Sequence, residues 1–312
     1  MASRCVFLFG AGASFGSQAT DRPPLGINGF WTAIREHLES KAEHLNIANP
    51  SIHRLHAQIM IQEMMNSNPE EGMDYITAGT GNRALFQWLL ADFFYKFAPN
   101  VDSIYLRLFN ELRARGMLEH TSLVTTNYDL LIERSLRLAR IPFSYSLKAD
   151  SGVPLLKPHG SCNFSFTSDR VRLGAGAVFI GFRHELAGNL VLLSQDQVEE
   201  SFWRSTPRFG PAMALYNPQK ARDTTCVEIE NAIRLLPSIF ASADRIIIIG
   251  LGFYAHDSHI WNSILSSASS MLYVGDKNSA QALASLRLPR KSLHATGYFA
   301  EAMEEIIDFC VS

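Results

Sequence analysis

Five short blocks of the chain combine residue types and spacing that could do chemistry. Gly10-Ala11-Gly12-Ala13-Ser14 follows the apolar run Val6-Phe7-Leu8-Phe9. Glycines after a strand remove the Cβ atoms that would keep a pyrophosphate away from backbone N–H groups. The spacing is not G-x-G-x-x-G, because the next glycine is Gly16, so a ligand-free glycine turn is the competing reading. Thr125-Thr126-Asn127-Tyr128-Asp129 ends a second apolar run, at the strand edge where ligands sit in open α/β sheets. There Asn127 could hold a ribose hydroxyl or a water without bringing a charge, while Asn127 or Asp129 could equally cap the following helix. Lys157-Pro158-His159-Gly160-Ser161 sets a histidine between proline and glycine, on a loop read as stiff and exposed. A side chain titrating near neutral pH is useful in such a place, although His159 is one of 10 histidines. Gly250-Leu251-Gly252-Phe253 supplies a second glycine turn, with Asp257 or Ser258 opening the next helix. Gly275-Asp276 ends a further strand, where the carboxylate could accept from the adenosine end of a dinucleotide or serve only as a turn residue.

The elements that must position these blocks alternate between strand and helix. Val6–Phe9 reads as a buried parallel strand, Leu123–Thr126 as the next, and Arg245-Ile246-Ile247-Ile248-Ile249-Gly250 as the strongest of all. Met271–Val274 is a fourth. Helices are predicted from about Cys226 to Ala241, around Ile260, Ile264 and Leu265, and from Phe299 to Phe309. A helix after Asn127 would bury Leu130, Leu131, Leu136 and Leu138, and Pro154 to Gly160 reads as a loop. Between the first two strands the periodicity is helical: Phe30, Ile34 and Leu38 share a face, as do Leu55, Ile59 and Met64. Phe86, Leu89, Leu90, Phe93 and Phe94 make a wide apolar stripe, and Tyr105, Leu108 and Leu112 continue the pattern. The resulting expectation is a doubly wound, Rossmann-like α/β fold with a mostly parallel sheet. Its core would comprise residues 1–28, 119–161 and 226–312, with a helical insertion at 29–118 and a smaller irregular insertion at 162–225.

Composition narrows the class. In 312 residues, 47% are hydrophobic and 19% charged, which describes an ordinary globular chain. A net charge of −2 gives no overall basic field for nucleic acid or anionic lipid. Cys5, Cys162, Cys226 and Cys310 form no C-x-x-C pair, which argues against a zinc ribbon or a disulfide framework and suits a reducing cytoplasm. The amino-terminal apolar run is too short and too glycine-broken for a signal peptide, and Ile246–Phe253 is far below the ~20 residues that cross a bilayer. The expectation is a soluble, cytoplasmic protein.

In order and placement the five blocks resemble the sirtuin family: a GAG-x-S turn, a T-x-N-x-D strand end, an HG loop, a late glycine turn and an acidic residue on the last sheet edge. The match covers about a fifth of the chain. The resemblance implies NAD in contact with Gly10, Ala11, Gly12, Ser14, Thr126, Asp129, Gly250, Gly252, Phe253 and Asp276, with Asn127 orienting the nicotinamide ribose and His159 as general base. Two features depart from the deacetylase branch. The four zinc cysteines are missing, as is the G-I-x-D-F-R block, near whose place Pro23-Pro24-Leu25-Gly26 stands. Both departures are similar to divergent bacterial sirtuin-like domains of antiphage defence that lack the zinc ribbon and hydrolyse NAD. That branch implies an NAD glycohydrolase yielding nicotinamide and ADP-ribose, no metal, and control by homo-oligomerisation or by a separate chain. Such chains include translocase ATPases, short Argonaute proteins and nucleotide pyrophosphatase-like subunits. The alternatives are an NAD-dependent protein deacylase and a non-catalytic subunit sensing NAD or ADP-ribose; a dehydrogenase lacks its glycine spacing and acidic partner.

Overall fold

The computed structural model describes residues 3–17, 23, 29–45, 50–77, 82–147, 152–167, 186–204, 209–215, 224–254, 257–286 and 292–312. The chain divides into two compact units. The first comprises residues 1–23, 97–158 and 231–312, the second residues 24–96 and 159–230. The two segments read from the sequence as separate insertions thus contribute to one unit, and the helix carrying Tyr105 belongs to the other.

The described residues of the first unit form a seven-stranded parallel sheet. Its strands are β1 (Cys5–Phe9), β2 (Thr121–Thr125), β3 (Phe143–Ser144), β4 (Val153–Leu156), β8 (Arg245–Ile249), β9 (Ser270–Gly275) and β10 (Ser292–Thr296), in the order β10-β9-β8-β1-β2-β4-β3. β1 pairs in parallel with β2 on one side and β8 on the other, Phe9 lying opposite Thr125 and Ile249. Succession therefore runs outward from β1 in one direction and then, from β8, in the other. The gap between the carboxyl ends of β1 and β8 is the topological switch point of a doubly wound sheet.

Strands buried on both faces read as continuous apolar runs, and Ile246 to Ile249 are all buried. Val6, Leu8, Ile246 and Ile248 pack against Leu236 and Phe240 of α9 (Val227–Ser242) and Trp261 and Ile264 of α10 (Ser258–Leu265). Alternate residues point the other way. Phe9 packs edge-on against Tyr105 of α6 (Ile104–Ala114), with ring centroids 5.4 Å apart, and 6.1 Å from Phe299. α1 (Ala11–Phe15), α7 (Leu131–Leu138), α11 (Lys277–Ser285) and α12 (Met303–Val311) complete this unit, with a 3-10 turn over Leu118–His120.

Several sequence expectations need correction. Val153–Leu156 is a strand and not a loop: Pro154 obscured it, yet Leu155 and Leu156 pair with Leu123 and Val124. β10 and α11 were missed, because both are short and weakly apolar. Leu138 is exposed, since α7 buries the face bearing Leu131, Ile132, Glu133, Ser135 and Leu136.

In the second unit, α2 (Phe30–Leu45), α3 (Pro50–Met64), α4 (Pro69–Thr77), α5 (Asn82–Tyr95) and α8 (Gln195–Trp203) form a helical cluster. Phe30, Ile34, Leu38, Leu55, Ile59, Phe86, Leu89, Leu90 and Phe93 are buried as their periodicity requires, whereas Met64 is exposed at the end of α3. Asp92 ties α2, α5 and α8 together by accepting from His37 Nε2 at 2.9 Å, Lys41 Nζ at 2.9 Å and Trp203 Nε1 at 3.2 Å. The region read as irregular holds a described three-stranded sheet, β5 (Phe164–Thr167), β6 (Leu186–Leu192) and β7 (Thr224–Cys226), antiparallel between β5 and β6 and parallel between β6 and β7.

Candidate functional site

The carboxyl ends of β1, β2 and β8 bring three of the five blocks together within the first unit. β1 ends at Phe9, and the glycine turn that follows leans on the turn after β8. Gly10 N donates to Ile249 O and Gly12 N to Gly250 O, both at 2.9 Å. Gly250 adopts φ +65°, and a Cβ on it would lie 2.1 Å from Ala13 N. A Cβ on Gly12 would lie 2.9 Å from Gly250 Cα. The glycines are thus required by the mutual packing of two loops at the switch point, a reason the sequence reading did not contain. Because Gly12 N–H is already committed to Gly250 O, it is not among the donors left for an anion.

Asn127 stands at the centre of this edge. Thr126 N donates to Phe9 O at 3.1 Å, and Asn127 N donates to Thr125 Oγ1 at 3.1 Å, so the segment leaves β2 in a fixed direction. Asn127 Nδ2 donates to Gly10 O and to Ser14 Oγ, both at 2.9 Å. Since Gly10 O can only accept, the amide nitrogen must face it, and this sets the side chain's orientation. Asn127 Oδ1 is then left buried and accepts no hydrogen bond from any described residue. A buried acceptor without a donor is costly, about 1–3 kcal/mol, and marks a place where a hydroxyl or water belongs.

Around Asn127 lies a buried polar network. Ser14 Oγ is 3.3 Å from Tyr105 Oη. Burial, reinforced by the Asp129 charge, holds the Tyr105 phenol well above its ordinary range, so it remains a neutral donor. Asp129 Oδ1 accepts from Leu131 N at 3.0 Å, the capping-like role considered for it. Burial pushes its carboxyl up, opposed chiefly by the Lys157 charge. Lys157, at the end of β4, is buried and donates to Asp129 O at 2.7 Å and Glu133 Oε1 at 2.9 Å. Tyr105, Glu133 and Lys157 were not singled out from the sequence. Tyr105 looked like one more apolar position of a helix face, and Lys157 was legible only as a neighbour of His159.

The remaining predicted residues are placed as follows. Gly252 O accepts from Trp261 Nε1 at 3.2 Å, and Phe253 N donates to Ser279 Oγ at 2.9 Å. Asp276 caps α11 by accepting from Ser279 N at 2.8 Å, and its Oδ2 lies 3.4 Å from Tyr273 Oη. Burial alone would raise this carboxyl, but bonds from Ser279 and Tyr273 hold it below its usual range, so Asp276 is anionic at neutral pH. Its turn role and an acceptor role are compatible, because a carboxylate has further lone pairs. His159 opens the next stretch of the second unit. It is buried and not exposed: its carbonyl accepts from Ala214 N at 2.9 Å, and Gly160, at φ +80°, packs where a Cβ would lie 2.0 Å from Ala212 O. The loop is therefore pinned by the 212–214 segment, a pairing between distant residues that local pattern does not reveal. All four cysteines are buried, with no disulfide among the described residues, and burial pushes the Cys226 thiol up to about 12.

The class defined by fold and edge is a doubly wound parallel α/β domain with an orphaned amide oxygen beside its switch point. No family model matches the chain, and no curated protein does. Among solved structures it is similar to a histidine-to-asparagine mutant of a Sir2 homologue in complex with ADP-ribose, at 16% identity over 99% of this chain and 92% of that one, with a TM-score of 0.47. It is also similar to Sir2Tm bound to a propionylated peptide, at 15% identity over 98% and 93%, again with a TM-score of 0.47. Among the described residues no helix is long and apolar enough to cross a membrane.

Proposed function

We propose that this chain is a sirtuin-like NAD glycohydrolase, releasing nicotinamide and ADP-ribose, and that it serves as an NAD-depleting effector of bacterial antiphage defence. The observation that carries the reading is Asn127: its amide nitrogen is locked on Gly10 O and Ser14 Oγ while its buried Oδ1 has no donor among the described residues. A ribose hydroxyl, or the attacking water, is the donor that this oxygen fits. The sequence resemblance supplies the rest of the assignment, with the dinucleotide touching Gly10, Ala11, Gly12, Ser14, Thr126, Asp129, Gly250, Gly252, Phe253 and Asp276.

In the proposed reaction the bond between the ribose anomeric carbon and the nicotinamide nitrogen breaks. Its electron pair leaves with nicotinamide, and an oxocarbenium-like centre develops on the sugar. Asn127 fixes the ribose, water adds to the anomeric carbon, and His159 takes up the proton released, directly or through the ribose hydroxyls. No metal takes part in this scheme. A free enzyme of this kind would drain its cell, so activity is gated by self-association or by a separate regulatory chain.

Incubation of the purified protein with NAD, with and without an acetylated peptide, tests the reading. Equal yields of nicotinamide and ADP-ribose without peptide support it. Release that depends on the acyl-peptide would replace it with deacylation, and binding without release would leave a sensor.

A further inference from the structure

We infer that Lys157 is the positioning residue of this site: by donating to the Asp129 carbonyl, its buried ammonium fastens the segment that carries Asn127. Asp129 lies two residues beyond Asn127, in the turn between β2 and α7. Lys157 reaches it from the end of β4, the strand beside β2.

Lys157 and Glu133 have side chains 0% and 1% exposed. Taking an ammonium and a carboxylate out of water costs several kcal/mol each, and apolar residues of similar volume often replace such pairs without loss of stability. Packing alone therefore does not explain a lysine here. Its geometry suggests a specific task. Nζ divides its donors between Asp129 O at 2.7 Å and Glu133 Oε1 at 2.9 Å, and the same Glu133 oxygen accepts from Tyr145 Oη at 3.2 Å. Without Nζ the Asp129 carbonyl loses this donor, and the turn loses its tie to β4. The effect would travel a short, continuous path. Asp129 follows Asn127 by two residues along the backbone, and the bonds from Asn127 Nδ2 to Ser14 Oγ and Gly10 O decide where Oδ1 points. The Lys157 charge also opposes the burial and the Glu133 charge that push the Asp129 carboxyl up.

The structural part of the inference does not depend on the reaction, whereas its catalytic consequence rests on the glycohydrolase reading. The test therefore reads Asn127 directly, through hydrogen exchange of its side-chain amide in selectively labelled full-length protein, beside nicotinamide release. Lys157→Met alone strands Glu133 and risks misfolding, so the informative protein is Lys157→Met combined with Glu133→Leu. We expect it to fold with a melting temperature near that of the parent. Asn127 amide protons should exchange at least about 10-fold faster, and kcat should fall ~100-fold with a smaller change in KM, as for a reacting group misplaced by ~1 Å. Unchanged exchange in the folded double variant would overturn the inference, whatever the chemistry. Faster exchange in a chain whose parent releases no nicotinamide would uphold it while sinking the glycohydrolase reading. If the double variant does not fold, Glu133→Gln decides, because it keeps the bond from Lys157 to Asp129 O. Asn127 exchange should then stay within about 3-fold of the parent, and a larger rise would overturn the assignment to that bond.

Discussion

Replacing Gly12 by alanine separates two explanations for the first glycine turn. If glycine is needed only to make room for a pyrophosphate, the variant folds normally and binds NAD poorly. The structure argues for a stability effect as well. A Cβ at Gly12 would sit 2.9 Å from Gly250 Cα and 3.0 Å from Gly250 O, both backbone atoms that no rotamer change can move. Carbon atoms rest at roughly 3.5–4.0 Å, so the two loops would have to part by about 0.6 Å or more. That separation would stretch the 2.9 Å bond from Gly12 N to Gly250 O beyond ordinary range. Overpacking of this kind costs about 1–3 kcal/mol, and losing the bond about 1 kcal/mol more. Loss of stability should thus total roughly 2–4 kcal/mol. Urea unfolding of parent and variant measures it, alongside NAD affinity by calorimetry. A parental unfolding midpoint together with lost affinity would refute the packing argument and return this glycine to the ligand alone.

Three further outcomes can be checked. Asn127→Ala and His159→Ala should each abolish nicotinamide release while circular dichroism stays parental, the first costing about 1–2 kcal/mol of stability through the bonds lost at Gly10 O and Ser14 Oγ; near-normal turnover in either folded variant would refute the mechanism. Burial alone would raise the Asp92 carboxyl, but hydrogen bonds and charge from His37 and Lys41 outweigh it and hold the group low. A depressed carboxylate contributes stability above the unfolded value of about 3.9 and loses it as pH falls through the folded value. The stability gap between the parent and Asp92→Asn should therefore be widest near neutral pH and shrink below about pH 4, and a gap that grows on acidification would contradict this. Finally, because the four cysteines form no C-x-x-C pair, chelators should neither unfold the protein nor change its activity, and elemental analysis should find no stoichiometric zinc.

Much of the parallel sheet was legible because buried strands announce themselves as apolar runs, as Val6–Phe9 and Ile246–Ile249 do. The place of Asn127 at a strand end was legible for a similar reason, since its block follows such a run directly. What escaped the sequence depends on distant partners. β4 was hidden by Pro154, whose neighbours nevertheless pair with β2. Lys157 was only a neighbour of His159 until β4 placed it against the Asp129 carbonyl and Glu133, and Tyr105 looked like core until its hydroxyl met Ser14. The exposed loop expected for His159 is buried because residues 212–214, more than 50 positions away, hydrogen-bond to it. Local pattern reports which face a residue shows; it cannot report what arrives on that face from elsewhere in the chain.

The central claim is tested most directly by following nicotinamide release from NAD across a concentration series of the purified chain, with its mass in solution measured at each point. The account predicts equal amounts of nicotinamide and ADP-ribose, activity that rises with self-association or on addition of a regulatory chain, and none at any concentration from Asn127→Ala. NAD left intact by every assembled form, or release undiminished in Asn127→Ala, would contradict it.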